Sequence, residues 1–255
     1  MADGSSSLLD RIVQARALKR WARAARLAEK LPPGELRELR GQALALSREI
    51  GRVVQVAEER LSMPAGGGDG IERPLGCDWA WRPDFWRQPV QPRGIAPAQN
   101  RAKFGAELTL FHDCANSALM LRQIRNTRAE DIAPFALRMD VFRFEGSFLS
   151  LVLDLPEAAV RGLRRNHLVR LGLDVALERP LEIFCRLNIK HGPNTEQIVR
   201  EMGPGESFVE FDLGYAKLNE KRLEKAWVDL IFEGPQMNEI VLRDLTMLRH
   251  PRAEL

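Results

Sequence analysis

The chain has 255 residues, of which 45% are hydrophobic and 29% charged, and its formal net charge is +3. This is apolar enough to fill a sizeable core, which argues against wholesale disorder, and the near-balance of charge excludes nucleic-acid binding driven by overall charge. Three cysteines, Cys77, Cys114 and Cys185, lie far apart without a CxxC spacing, so no disulfide framework is expected and a reducing compartment is.

The opening MADGSSSLLDRIVQARALKRW lacks the uninterrupted apolar run of a secretory signal, and a cytoplasmic location is the expectation. No run of eighteen apolar residues occurs, so no membrane-spanning helix is expected. Residues 8 to 63 predict two helices. The first carries Leu8, Ile12, Ala15, Leu18, Ala22 and Ala25 as one stripe behind a capping Ser7. Its remaining face is basic, with Arg11, Arg16, Lys19, Arg20, Arg23, Arg26 and Lys30. The alanine-rich stripe is weakly hydrophobic, so a charged outer face is preferred to a membrane-bound helix, and nucleic acid is not an expected partner. LPPGE at 31–35 breaks the pattern, because proline lacks an amide donor. In the second helix Leu36, Leu39, Ala43, Leu46, Ile50, Val53 and Ala57 alternate steps of three and four, a heptad seam. An antiparallel, coiled-coil-like hairpin over residues 1–63 is the expectation, and the seam also permits self-association.

LSMPAGGGDG at 61–70 reads as a flexible linker. GCDWAWRPDFWRQPVQPRG follows, with Trp79, Trp81 and Trp86 among prolines. They are either a stacking platform for a ligand or anchors that pin the segment to a core. Trp79 and Trp81 are two residues apart, so an extended chain points both to one side. Burial is the favoured reading, because large exposed aromatic patches are uncommon. Residues 64–103 are therefore expected to be a Gly/Pro/Trp-rich linker packed on the domain that follows.

From Phe104 the period changes to two. LTLFHD, ALMLRQI, FALRMDVFR, FLSLVLDLP, HLVRLGLDVALE, LEIFCRLNIK, SFVEFDLGY, AWVDLIFEG and NEIVLRDLTML predict roughly nine strands bounded by turn residues. Short alternating strands without intervening long helices predict an antiparallel β-sandwich over residues 104–255. KLNEKRLEKAW predicts one helical turn capped by Asn219, and Trp227 is assigned to the core.

Catalytic constellations are missing from the sequence. The four histidines, His112, His167, His191 and His250, form no close pair, and HExxH, GxSxG, Walker and dinucleotide motifs do not occur. Cys185 falls on the apolar face of its strand and reads as an inert core thiol. No catalytic residue, metal or cofactor is assigned. Binding chemistry is better represented. LEIFCRLNIKHGPNTEQ places Glu182, Phe184, Arg186, Asn188 and Lys190 opposite the core face, with His191 and Asn194 in the loop beyond. Planar polar groups beside an aromatic ring are what a sugar requires. The expected ligand set is Phe184, Arg186, Asn188, Lys190, His191, Asn194, Trp79, Trp81 and Trp86.

Two resemblances rest on these segments. GCDWAWRPDFWRQPVQPRG, MDVFRFEGSFLSLVLDLP, RLNIKHGPNTEQIVRE and VDLIFEGPQMNEIVLRDLTMLRHPRAEL resemble an uncharacterised alphaproteobacterial family of about this length, a domain of unknown function, which implies no activity. FRFEGSFLSLVLDLP with the closing strand NEIVLRDLTML resembles carbohydrate-binding jelly-roll modules, which implies a jelly-roll-like sandwich and a glycan partner. The sequence thus points to a mainly β protein, a jelly-roll-like antiparallel sandwich preceded by an N-terminal helical hairpin. Its expected function is non-catalytic carbohydrate binding directed at surface polysaccharide. The alternative is a structural or interaction protein whose helices assemble with a protein partner, or within an envelope or phage-like particle.

Overall fold

A computed structural model describes residues 8–61, 70–115 and 118–252. The chain divides into two units, Met1–Ala57 and Glu58–Leu255. The first unit holds α1 (Leu8–Leu27) and most of α2 (Pro33–Leu61), joined through a 3₁₀ turn at Ala28–Lys30. Pro33 opens α2 at the position where a missing amide donor costs nothing. Trp21, Ala24, Ala28, Leu31, Leu39 and Ala43 are half-buried around this join. Beyond it the seam is open: Leu46 is 39% exposed, Ile50 53% and Val53 69%. Three of the six stripe positions of α1 are alanine, which offers α2 less apolar surface than leucine or isoleucine would.

The second unit is built on period-two alternation. Its elements are β1 (Trp79–Trp81), α3 (Asp84–Arg87), β2 (Gly94–Ile95), β3 (Ala102–Phe104), β4 (Leu108–His112), β5 (Ala118–Arg125), β6 (Phe135–Arg143), β7 (Leu149–Asp154), β8 (His167–Leu177), β9 (Ile183–His191), β10 (Asn194–Met202), β11 (Phe208–Asp212), β12 (Leu223–Phe232) and β13 (Asn238–Pro251). One sheet has seven strands in the order β11-β8-β13-β6-β5-β2, with β1 also paired to β13; the other has six, in the order β10-β9-β12-β7-β4-β3. All pairs are antiparallel. The protein is therefore mainly β, with two antiparallel sheets and an N-terminal helical region.

The core lies between the sheets. Leu137, Met139, Leu171, Leu173, Leu245 and Met247 enter from the seven-stranded sheet, and Leu151, Leu153, Cys185, Leu187, Val228 and Leu230 from the six-stranded one. Interdigitation of such alternating side chains is what holds two sheets face to face. The one-turn helix expected at Asn219 is present as Glu220–Arg222, and the Asn219 side chain accepts a hydrogen bond from the Lys221 amide.

Trp86 is fully buried, and its Nε1 donates to the Leu242 carbonyl at 3.1 Å. Its ring meets Phe85 edge-on at 5.1 Å, and Phe85 meets Phe104 likewise. Trp79 and Trp81 are half-buried against the core, on a strand that pairs with the end of β13. Arg249, 4% exposed, grips the same segment by pairing with both Asp78 oxygens at 2.8 and 3.0 Å. It also donates to the Ala159 and Arg161 carbonyls at 3.1 Å.

Candidate functional site

Parity along β9 and β12 builds the site. On β9 the apolar Ile183, Cys185, Leu187 and Ile189 face the core, so Phe184, Arg186, Asn188 and Lys190 lie on the outer face. On β12 Ala226, Val228, Leu230 and Phe232 take the core, which sends Trp227, Asp229 and Ile231 outward. Pairing then sets Asn188 beside Trp227, Arg186 beside Asp229 and Phe184 beside Ile231. Ser150 and Val152 of β7 join from one side, and Gln197 of β10 lies opposite Asn188 on the other.

Together with Phe111 and Phe148, these residues line a cleft of about 430 Å³. Trp227 stands at one end, and Lys225 sits over its ring, 5.1 Å from the centroid. Ile231, four residues along the same strand, is about 13 Å away, and Phe111 lies two strands across, a further lateral step of about 10 Å. Half-exposed apolar and aromatic surface therefore bounds a central polar cluster.

Within that cluster Asp229 is 3% exposed. Its Oδ2 accepts from Arg186 Nε at 2.6 Å, Arg186 Nη2 at 2.5 Å and Asn188 Nδ2 at 3.1 Å. Gln197 Nε2 donates to Asn188 Oδ1 at 2.9 Å. Asp229 Oδ1, Arg186 Nη1 and Gln197 Oε1 have no hydrogen-bond partner among the described residues. Ser150 Oγ, on the same face, is buried and likewise has none. Ser150 Oγ is the buried atom among these and lacks a partner at a cost in free energy, whereas Asp229 Oδ1 and Arg186 Nη1 are open to solvent, where a ligand can take the place of water.

The expected ligand set divides accordingly. Arg186 and Asn188 are brought together in the cleft. Phe184 and Lys190 share the outer face but stand outside it, and Lys190 pairs with Glu224 at 2.6 Å. His191 must be corrected: β9 continues through it, it is 7% exposed on the parity of the core face, and its Nδ1 accepts from the Asn219 amide at 3.4 Å. The loop expected to hold it is only the turn at Gly192 and Pro193, with Gly192 at φ 62°, and Asn194 already pairs with His191 as the first residue of β10. Trp86 must also be corrected, since full burial leaves no ring face for a ligand. Trp79 and Trp81 pack on the core and lie away from the cleft.

Trp227, expected in the core, belongs to the cleft instead. A signal for this exists in the sequence: Ala226, Val228, Leu230 and Phe232 share one parity, and Trp227 has the other. Cys185 is inert as expected, because burial pushes its thiol up to about 12. Among the described residues no group of three His, Cys, Asp or Glu side chains is placed to hold a metal ion. None of the described helices is long and apolar enough to cross a membrane.

Two other hollows differ in character. One of about 460 Å³ lies over the seven-stranded sheet, where Arg82 closes on both Asp244 oxygens at 2.8 Å and Arg170 stacks on Phe208 at 4.2 Å. Another of about 660 Å³, between residues 180–183 and 201–207, has acidic walls from Asp174, Glu182, Glu201 and Glu206. The first has one aromatic ring in its lining, Phe208, whose face Arg170 covers, and the second has none.

The chain belongs to the family of unknown function DUF6478, which it matches over residues 1–255. No curated protein matches it. Among solved structures it is similar to the enzymatically active domain of tailspike protein 4 of bacteriophage CBA120, at 6% identity and TM-score 0.39, over 60% of this chain and 21% of that one. It is also similar to the family 11 carbohydrate-binding module of a cellulosomal cellulase of Clostridium thermocellum, at 9% identity and TM-score 0.36, over 60% and 92% of the two chains. A family 22 carbohydrate-binding module of a Clostridium thermocellum protein is similar at 8% identity and TM-score 0.35, over 72% and 99%. Scores this low carry no functional argument, so a functional reading must come from the site.

Proposed function

We propose that the protein binds an uncharged polysaccharide, without catalysis, in the cleft on the outer face of the six-stranded sheet. The observation that carries this is Trp227 standing beside a polar cluster whose outward atoms are unbonded. A pyranose ring has an apolar face suited to an indole and a rim of hydroxyls that both donate and accept. Asp229 Oδ1 supplies an acceptor, Arg186 Nη1 a donor and the Gln197 amide oxygen another acceptor. The charged lining residues, Arg186 and Asp229, cancel, which favours a neutral ligand over an acidic one. Asp229 is the single carboxylate in the lining, so the pair needed for glycoside hydrolysis is not assembled there. The width of the cleft suits several rings of an extended chain, and bacterial surface polysaccharides are the class to test first.

The test is isothermal titration of the full chain with a panel of neutral and acidic polysaccharides, repeated with Trp227→Ala. Saturable binding to a neutral polysaccharide, lost in the variant, supports the proposal. Binding that survives the substitution places the site elsewhere.

A further inference from the structure

We infer that α2 pairs with the α2 of a second copy of the chain as a parallel two-stranded coiled coil. The inference is independent of glycan binding, because it rests on a different unit. Leu36, Leu46, Ile50 and Val53 are each at least 39% exposed, along a helix that continues to Leu61. They are not scattered. With Leu36, Ala43, Ile50 and Ala57 at the first heptad position, Leu39, Leu46 and Val53 fall at the fourth. Isolated helices gain most of their stability from packing an apolar face, and from Leu46 onward this face is left open.

The choice of occupant follows from the residues on and beside the seam. Ile50 at the first position and Leu39 and Leu46 at the fourth suit two parallel strands, whereas Leu36 and Val53 do not, so the choice rests on the residues that flank the seam. In that register Glu35 of one helix flanks the seam opposite Arg40 of the other, and the symmetry of the pair makes this contact twice. The next flanking pairs, Gln42 with Ser47 and Glu49 with Val54, contain no like charges. A second copy in register is thus met by complementary charge above and by apolar side chains below.

Sedimentation equilibrium of the full chain tests this. The expected result is a mass that rises with concentration and levels at twice the chain mass. Ile50→Asp is expected to return the protein to the monomer while the near-ultraviolet circular dichroism of the β unit is unchanged. Arg40→Glu is expected to weaken dimerisation by about three- to tenfold, the scale of exposed ion pairs made twice, and the double variant Glu35→Arg/Arg40→Glu to restore it. Under mild oxidation Leu46→Cys is expected to form an interchain disulfide absent from the wild type, since parallel fourth positions face each other. A monomer at every concentration overturns the inference, as does a dimer that survives Ile50→Asp. A dimer that forms no disulfide in the Leu46→Cys variant and ignores the charge swap overturns its parallel register.

Discussion

Over the seven-stranded sheet the charged side chains close on one another. Arg138 meets Asp140 and Glu239, each at 2.6 Å, Arg170 meets Glu210 at 2.9 Å, Arg82 meets Asp244, and Arg128 meets Asp131 and Asp174. On the outer face of the six-stranded sheet one such pair, Arg186 with Asp229, sits among Trp227, Phe111, Phe148 and Ile231, and its outward atoms are unbonded. Both faces are made by alternating strands over one shared core, so the fold alone does not distinguish them. The difference lies in what surrounds the charges. Over the seven-stranded sheet they pair mainly with one another, and the exposed ring of Phe208 is covered by Arg170; in the cleft a single ion pair lies among apolar and aromatic side chains, which offers a ligand apolar as well as polar contacts.

Substitutions break or sharpen this contrast. The largest effect is expected at a tryptophan belonging to neither outer face: Trp86→Ala removes a fully buried ring and lowers stability by about 3–5 kcal/mol in urea unfolding, with the affinity of the folded protein unchanged. Trp227→Ala is the converse. It weakens polysaccharide binding by about thirtyfold, the scale of a central aromatic contact, and changes stability by no more than about 1 kcal/mol. Gln197→Ala removes an outward acceptor and the donor to Asn188, so titration is expected to show about three- to tenfold weaker binding and unfolding a loss of about 1 kcal/mol. Arg170→Ala, on the seven-stranded face, leaves binding unchanged and alters stability by about 0.5–1 kcal/mol at most.

Acidity probes the sandwich apart from either face. Burial lowers the pKa of His167 below its ordinary value of 6.5, and its Nδ1 accepts from the Arg164 amide at 3.0 Å, which requires the neutral ring. A depressed pKa means that the unfolded chain takes up the proton first. The contribution of His167 is complete above about pH 6.5 and is lost as the pH falls through the folded value. Thermal unfolding midpoints are expected to fall over that window, and His167→Gln, which keeps a side-chain acceptor, is expected to flatten the fall.

Much of this is legible in residue parity. The apolar run of β9 by itself places Arg186 and Asn188 together on the outer face, and the same alternation yields the two sheets. Parity applied to β12 equally moves Trp227 outward, but the size and apolarity of tryptophan argue for the core and mask its position. β10 escapes the sequence pattern for a related reason. It is an edge strand of mostly polar, exposed residues, so no apolar alternation marks it, and its pairing with β9 only emerges from the turn at Gly192. The burial of Trp86 depends on the Leu242 carbonyl, 156 residues away, a partner that no local pattern specifies. Nor does the sequence reveal that Asn188 is wholly buried and bonded to Asp229 and Gln197. Removing it would disturb the sheet, so it is a poorer probe of binding than Trp227.

The most direct measurement is a titration of wild type, Trp227→Ala and Arg170→Ala against the same neutral polysaccharide, with folding of each checked by circular dichroism. Wild type and Arg170→Ala are expected to bind with matching affinity and Trp227→Ala about thirtyfold more weakly. Equal binding by all three, or a loss confined to Arg170→Ala, would contradict this expectation.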